Sequence, residues 1–176
     1  LLIASSEGLM MADYSAQQLI FKAIEHRVDE VFTLDNGNTK KLLLDDTGAL
    51  LLGTVSGLYS LPWESVKQAH RGDGVVKDSK LIIPERNIWE MEAQHSNLVW
   101  IGSDIGLLQL ERKDNAWQAT YVLEPSTADV ALSRSDIRSI ALTSDNNLWI
   151  GSYFNGALFW SPSSFNFKTV QNQVNK

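Results

Sequence analysis

The sequence predicts an all-β fold, and three observations carry that prediction. A short apolar motif returns every 49 residues. Two columns of glycine run through its copies. Between the copies, apolar runs of strand length alternate with polar turns, and helical periodicity is almost absent.

The motif copies are Leu1-Leu2-Ile3-Ala4-Ser5, Leu50-Leu51-Leu52-Gly53-Thr54, Val99-Trp100-Ile101-Gly102-Ser103 and Leu148-Trp149-Ile150-Gly151-Ser152. A small residue holds the fourth place each time, at Ala4, Gly53, Gly102 and Gly151. A second glycine follows the hydroxyl residue at Gly8, Gly57 and Gly106, and one place late at Gly156. Upstream of three copies lie further strand candidates: Lys41-Leu42-Leu43-Leu44, Trp89-Glu90-Met91-Glu92 and Arg138-Ser139-Ile140-Ala141-Leu142. Polar turns at 45–48, 94–97 and 143–147 separate them from the motif. The motif strands lack polar alternation, so both their faces are expected to be buried.

Third strands follow the glycine turn at Leu58–Leu61, Leu107–Leu110 and Leu158–Trp160. Fourth strands are expected at Gln18–Ile24, Leu81–Ile83, Trp117–Leu123 and Phe165–Val170. Only Trp63–His70, after Pro62, reads as a short turn of helix. Gly57, Gly106 and Gly156 are expected to supply positive φ in the tight turn. Gly53, Gly102 and Gly151 are expected to admit a neighbouring strand closely.

Four antiparallel strands with buried faces, repeating at roughly 40–50 residues, is the pattern of stacked β-propeller blades. The chain holds about 3.6 repeats, approximately 1–36, 37–85, 86–134 and 135–176, in a single segment. It opens on a second strand without an initiator Met, and its polar tail, 171–176, supplies no closing first strand. The expectation is therefore a piece of a larger propeller, whose apolar blade faces pair with the remaining blades or with a second copy.

Composition narrows the function. Apolar residues at 44% and charged residues at 20% are those of a globular chain, with no run long enough to span a membrane. The net charge of −6, without any basic stripe, argues against nucleic acid and against an anionic membrane surface. The chain has no cysteine, which removes disulfides, thiolate metal sites and cysteine nucleophiles. His26, His70 and His95 fall at different points of the repeat and make no metal-ligand spacing. No Gly-x-Ser-x-Gly elbow is present, and no glycine-rich loop leads into a helix. No cofactor or metal is expected.

The copies 145–152 (Asp-Asn-Asn-Leu-Trp-Ile-Gly-Ser) and 97–107 (Asn-Leu-Val-Trp-Ile-Gly-Ser-Asp-Ile-Gly-Leu) resemble the two-component regulator propeller repeat. The copy at 46–58 keeps both glycines but has Leu51 in the tryptophan column, and the first has Ala4 for glycine. The resemblance covers essentially the whole chain. It implies part of a seven-bladed propeller on the periplasmic or extracellular side of a membrane-anchored bacterial protein. Its role would be ligand sensing, non-catalytic in itself, with a histidine kinase or diguanylate cyclase output outside this chain. An oligosaccharide or other small molecule is the ligand it implies. A protein-interaction scaffold and, more remotely, a propeller lyase or hydrolase are the alternatives; the lyases that resemble this fold need a close His and Glu set, which this chain lacks.

In such blades the loops entering the first strand and those joining the second to the third share one end. They carry Arg86, Asn87, Asp104, Arg134, Asp136 and Asn155, beside the aromatic pair Tyr153 and Phe154. Polar groups next to aromatic faces suit a polar small molecule, so these eight are the candidate ligand-binding residues. Trp100 and Trp149 stand at equivalent places in buried strands and are expected to pack between blades, as are Trp89, Trp117 and Trp160. Asp45, Asp46 and Asp145 are expected to bond the backbone of their own turns.

Overall fold

The computed structural model describes residues 1–13, 19–28, 31–32, 38–114, 116–122, 136–161 and 167–170. It divides into two compact units, Leu1–Ile88 and Trp89–Lys176. The described strands make four sheets, antiparallel meanders in chain order except that the first also takes one short parallel strand from later in the chain.

In the first unit, β1 (Leu2–Ser5), β2 (Gly8–Met11), β3 (Lys22–Val28) and β4 (Val31–Phe32) form one sheet. The second sheet has β5 (Thr39–Leu44), β6 (Ala49–Thr54) and β7 (Gly57–Pro62). The chain then turns through helix α1 (Trp63–Arg71) and the two-residue strand β8 (Val75–Val76) before closing the sheet with β9 (Lys80–Pro84). In the second unit, β10 (Ile88–His95), β11 (Leu98–Ser103), β12 (Gly106–Lys113) and β13 (Ala116–Tyr121) make one sheet. The last comprises β14 (Ile137–Leu142), β15 (Leu148–Ser152), β16 (Gly156–Trp160) and β17 (Phe167–Val170).

The expected first, second and third strands are all present, as are three of the fourth strands, within a residue or two except where β10 and β12 run further toward their C-terminal ends. The fourth strand of the first sheet is displaced: it starts at Lys22, not Gln18, and runs to Val28. The expected turn of helix is a full nine-residue helix. Pro62 precedes it with φ −58°, Glu64 lies in its first turn and Arg71 in its last, where each charge suits the helix dipole. Val66 and Ala69, three apart, are its buried stripe. Gly72 and Gly74 end it, their N–H groups donating to the Gln68 and Ala69 carbonyls.

This insertion reaches back to the first sheet. β8 pairs in parallel with β3, Glu25 opposite Val75 and His26 opposite Val76. The Glu25 N–H donates to the Gly74 carbonyl at 2.8 Å. Lys22 Nζ donates to the carbonyls of His70 and Gly72, Ser79 Oγ to that of Arg27, and His70 Nε2 lies 3.2 Å from Asp13 Oδ2. Beneath it lies an apolar cluster of Leu9, Ile24, Leu50, Leu52, Tyr59, Leu61, Val66, Ala69 and Val76. Helix, short strand and both sheets therefore share one core.

The second unit's core joins Trp100 and Leu107 to Ile137, Ile140, Leu148, Ile150 and Leu158 of the next sheet. Trp100 is 2% exposed, and its ring lies 5.5 Å from that of Trp160. Gly102 is where the two sheets approach: a Cβ there would sit 2.8 Å from the Ile137 carbonyl oxygen. That contact is closer than real side chains tolerate, so the position requires glycine. Trp149 departs from expectation. It is 41% exposed with its ring against Phe159, because no described strand packs over that face. Gly57 also departs: its φ is not positive, unlike those of Gly8, Gly106 and Gly156. What fixes it is space, since a Cβ would meet the Ile83 carbonyl oxygen at 2.6 Å.

Candidate functional site

The hydroxyl residue that follows the small residue in each motif ties the next turn. Ser5, Thr54 and Ser103 each donate to the carbonyl of the glycine three residues on, at 2.9–3.1 Å, and accept a backbone N–H from inside the turn. In the last sheet the turn is one residue longer. Ser152 Oγ there accepts from the Asn155 N–H at 3.3 Å. The extra residue sets Tyr153 and Phe154 outward, 66% and 75% exposed, edge to face at 4.8 Å.

These aromatics meet a charged pair. The Tyr153 N–H donates to the Asp136 carbonyl at 2.8 Å, fastening the turn to the residue before β14. Arg138 Nη2 donates to Asp136 Oδ2 at 2.5 Å. The Arg138 guanidinium carbon lies 3.6 Å from the centroid of the Trp89 ring and 5.2 Å from that of Tyr153. A cation on an indole face contributes about 0.5–1 kcal/mol in water and roughly 2 kcal/mol when desolvated. The Asp136 carboxylate adds a charge-assisted bond to the same group. Arg138 is thus held by its face and one edge, with its guanidinium beside the Tyr153 ring.

Of the eight sequence candidates, the structure brings Asp136, Tyr153 and Phe154 together, with Asn155 closing the same turn. Asp104 is exposed in the turn between β11 and β12. Arg86 and Asn87 belong to the first unit, where Arg86 Nη1 donates to the Glu85 carbonyl at 2.9 Å. Arg134 lies outside the described residues. Trp89 and Arg138 were not candidates, although a signal for them existed. Trp89 lies one 49-residue period before Arg138, and Lys40 one period before Trp89. Asn38, Asn87 and Asp136 form the column two places earlier. In the first unit the same device appears in milder form, Lys40 Nζ donating to Asn38 Oδ1 at 2.9 Å. The second position of each first strand is a recurring station for a long cationic or aromatic side chain.

At the other end of the strands, the aspartates serve their turns. Asp45 Oδ1 accepts from the Thr47 and Ala49 N–H groups and from the Thr47 hydroxyl, at 2.7–2.9 Å. Asp145 accepts from the Thr143 hydroxyl and the Asn147 amide, both at 2.5 Å. The Thr143 hydroxyl is the main cause that holds the Asp145 carboxyl below the ordinary carboxylate value.

The family model described as two component regulator propeller matches residues 131–154, which contain Asp136, Arg138, Tyr153 and Phe154. No curated protein matches the chain by sequence. Among solved structures, the chain is similar to the extracellular domain of the proposed hybrid two component system BT3049 from B. thetaiotaomicron, with a TM-score of 0.65 and 20% identity over 99% of this chain and 20% of that one. It is similar to the extracellular domain of the proposed one component system BT4673 from the same organism, with a TM-score of 0.61 and 19% identity over 100% of this chain and 22% of that one. It is also similar to PorZ, an essential surface component of the type-IX secretion system of Porphyromonas gingivalis, with a TM-score of 0.63 and 14% identity over 93% of this chain and 24% of that one. The chain thus spans about a fifth to a quarter of the length of these proteins. The four-stranded sheets are those of these propeller structures, and residues 131–154 match the two component regulator propeller repeat.

Proposed function

We propose that the chain is part of an extracytoplasmic ligand-sensing propeller module of a bacterial signal-transduction protein. The module does no chemistry itself and passes ligand occupancy to an output domain elsewhere in the protein. One observation carries this reading: the matched repeat, 131–154, is the stretch that bears Asp136, Arg138, Tyr153 and Phe154. The similarity to two extracellular domains of proposed one and two component systems supports placing the module outside the membrane.

The ligand class follows from the groups on offer. Arg138 presents donors and Asp136 is an acceptor, side by side, while Tyr153 and Phe154 present flat apolar surface. A polyhydroxylated ring has the complementary edge and face, so an oligosaccharide unit is the ligand this arrangement suits. The remaining blades of the same protein would complete the funnel around it.

Calorimetry of the full-length protein against a panel of neutral and acidic oligosaccharides tests this. Tyr153→Ala and Arg138→Ala are each expected to weaken binding about tenfold, the loss of one stack or one hydrogen bond. If both variants bind as the parent does, the ligand lies elsewhere. The outward Phe154 also fits a protein contact, and a panel without any glycan binder would favour that second reading.

A further inference from the structure

The outer strand of each sheet presents a free edge, and a free edge invites another strand unless something blunts it. Along β3 the edge is taken by β8 and β4. β9 begins with Lys80, ends with Pro84, and its register with β7 slips between Leu58 and Tyr59. β17 carries Lys168 in its sequence. β13 has none of these devices. Its sequence is Ala116-Trp117-Gln118-Ala119-Thr120-Tyr121, without charge or proline, and its register with β12 is unbroken from Leu108↔Tyr121 to Lys113↔Ala116. Every residue in it but Trp117 is exposed, and among the described residues β12 is its only strand neighbour.

We propose that β13 is a self-association edge, on which a second copy of this chain lays its own β13 antiparallel. The strand is suited to its own copy. It has no charge, so self-pairing sets no like charges opposite one another. With the two-fold axis through Gln118, Trp117 stands opposite Ala119, Ala116 opposite Thr120 and Gln118 opposite its own copy, so the large ring meets a small residue. Trp, Thr and Tyr favour the extended backbone this needs. Arg112 lies over the Trp117 ring, 5.3 Å from its centroid, and orders that side chain before any partner arrives. The interface uses the same patch on both copies, so it closes at two and builds no fibre.

Analytical ultracentrifugation of the full chain tests this, with the exposed pair Gln118 and Ala119 as the handle. The parent chain is expected to be dimeric at tens of micromolar. The double variant Gln118→Lys, Ala119→Lys sets lysines opposite each other and is expected to self-associate at least tenfold more weakly. Mixing it with Gln118→Glu, Ala119→Glu is expected to restore the dimer, which a misfolded variant would not do. A monomeric parent, a dimer indifferent to the lysines, or a mixture that fails to recover would each overturn the proposal.

Discussion

Between the third and fourth strands of its second sheet, the first unit carries seventeen residues, 63–79, folded into α1 and β8 and fastened to β3. At the same place in the sheet β10–β13, the second unit has only the two residues 114–115, with Asp114 at φ +49°. The 49-residue period is nonetheless kept. The second unit spends the difference on the eight-residue strand β12 and on the connection from 122 to 136, where the first has only 85–87 between β9 and β10. A constant period therefore does not mean a constant blade. What the array holds fixed is the spacing of the inner strands, and the outer half is free to become a strap in one repeat and a long connection in the next.

This contrast can be broken experimentally. The largest effect is expected from Trp100→Ala, which empties the core shared by the two sheets of the second unit and should cost about 3–5 kcal/mol. In the first unit, Val76→Asp puts a charge into the ladder under the strap, and a loss of about 3 kcal/mol or more is expected. Hydrogen exchange separates the two. Amides of Leu1–Ile88 should lose protection in the Val76 variant, and those of Trp89–Lys176 in the Trp100 variant; equal loss everywhere would show that the units unfold as one. Trp149→Ala sharpens the comparison, because the same residue type in the same column is half-exposed and should cost under about 1.5 kcal/mol in a urea melt.

A smaller effect is expected at the site. Arg138→Ala removes both the indole stack and the Asp136 bond and should lower stability by about 1 kcal/mol. Arg138→Lys should recover the charge but not the flat contact. The smallest effect concerns acid. Because the folded Asp145 carboxyl is held below its ordinary 3.8, its contribution to the 143–147 turn is full above that value and is lost as pH falls through the lowered one. Amide shifts of Asn146 and Asn147 followed by NMR from pH 6 downward should move only below about pH 4. Asp145→Asn should abolish that titration.

Much of this architecture was legible in the residues because it is periodic. The spacing of 49, the glycine columns and the apolar strands each report a position that every repeat must fill in the same way. The strap was only half legible. Pro62 and the spacing of Val66 and Ala69 announce a helix, whereas Val75-Val76 is too short to show any period, and its parallel partner lies fifty residues away. At Gly57 the glycine column marks a lack of bulk and not a positive φ, two needs that leave the same residue in a sequence. At the site, Tyr153 and Phe154 stood out because they interrupt the repeat. Trp89 reads as a packing residue and Arg138 as an ordinary strand opener because both obey it, and only two such strands side by side bring them together.

The guanidinium resting on Trp89 has an optical consequence. An indole whose face carries a cation emits and absorbs differently from a bare one, and here the Asp136 carboxylate helps hold that cation in place. Any molecule that draws Arg138 toward itself would change the light from one ring, so occupancy of this site is written into the near-ultraviolet spectrum of the unlabelled protein.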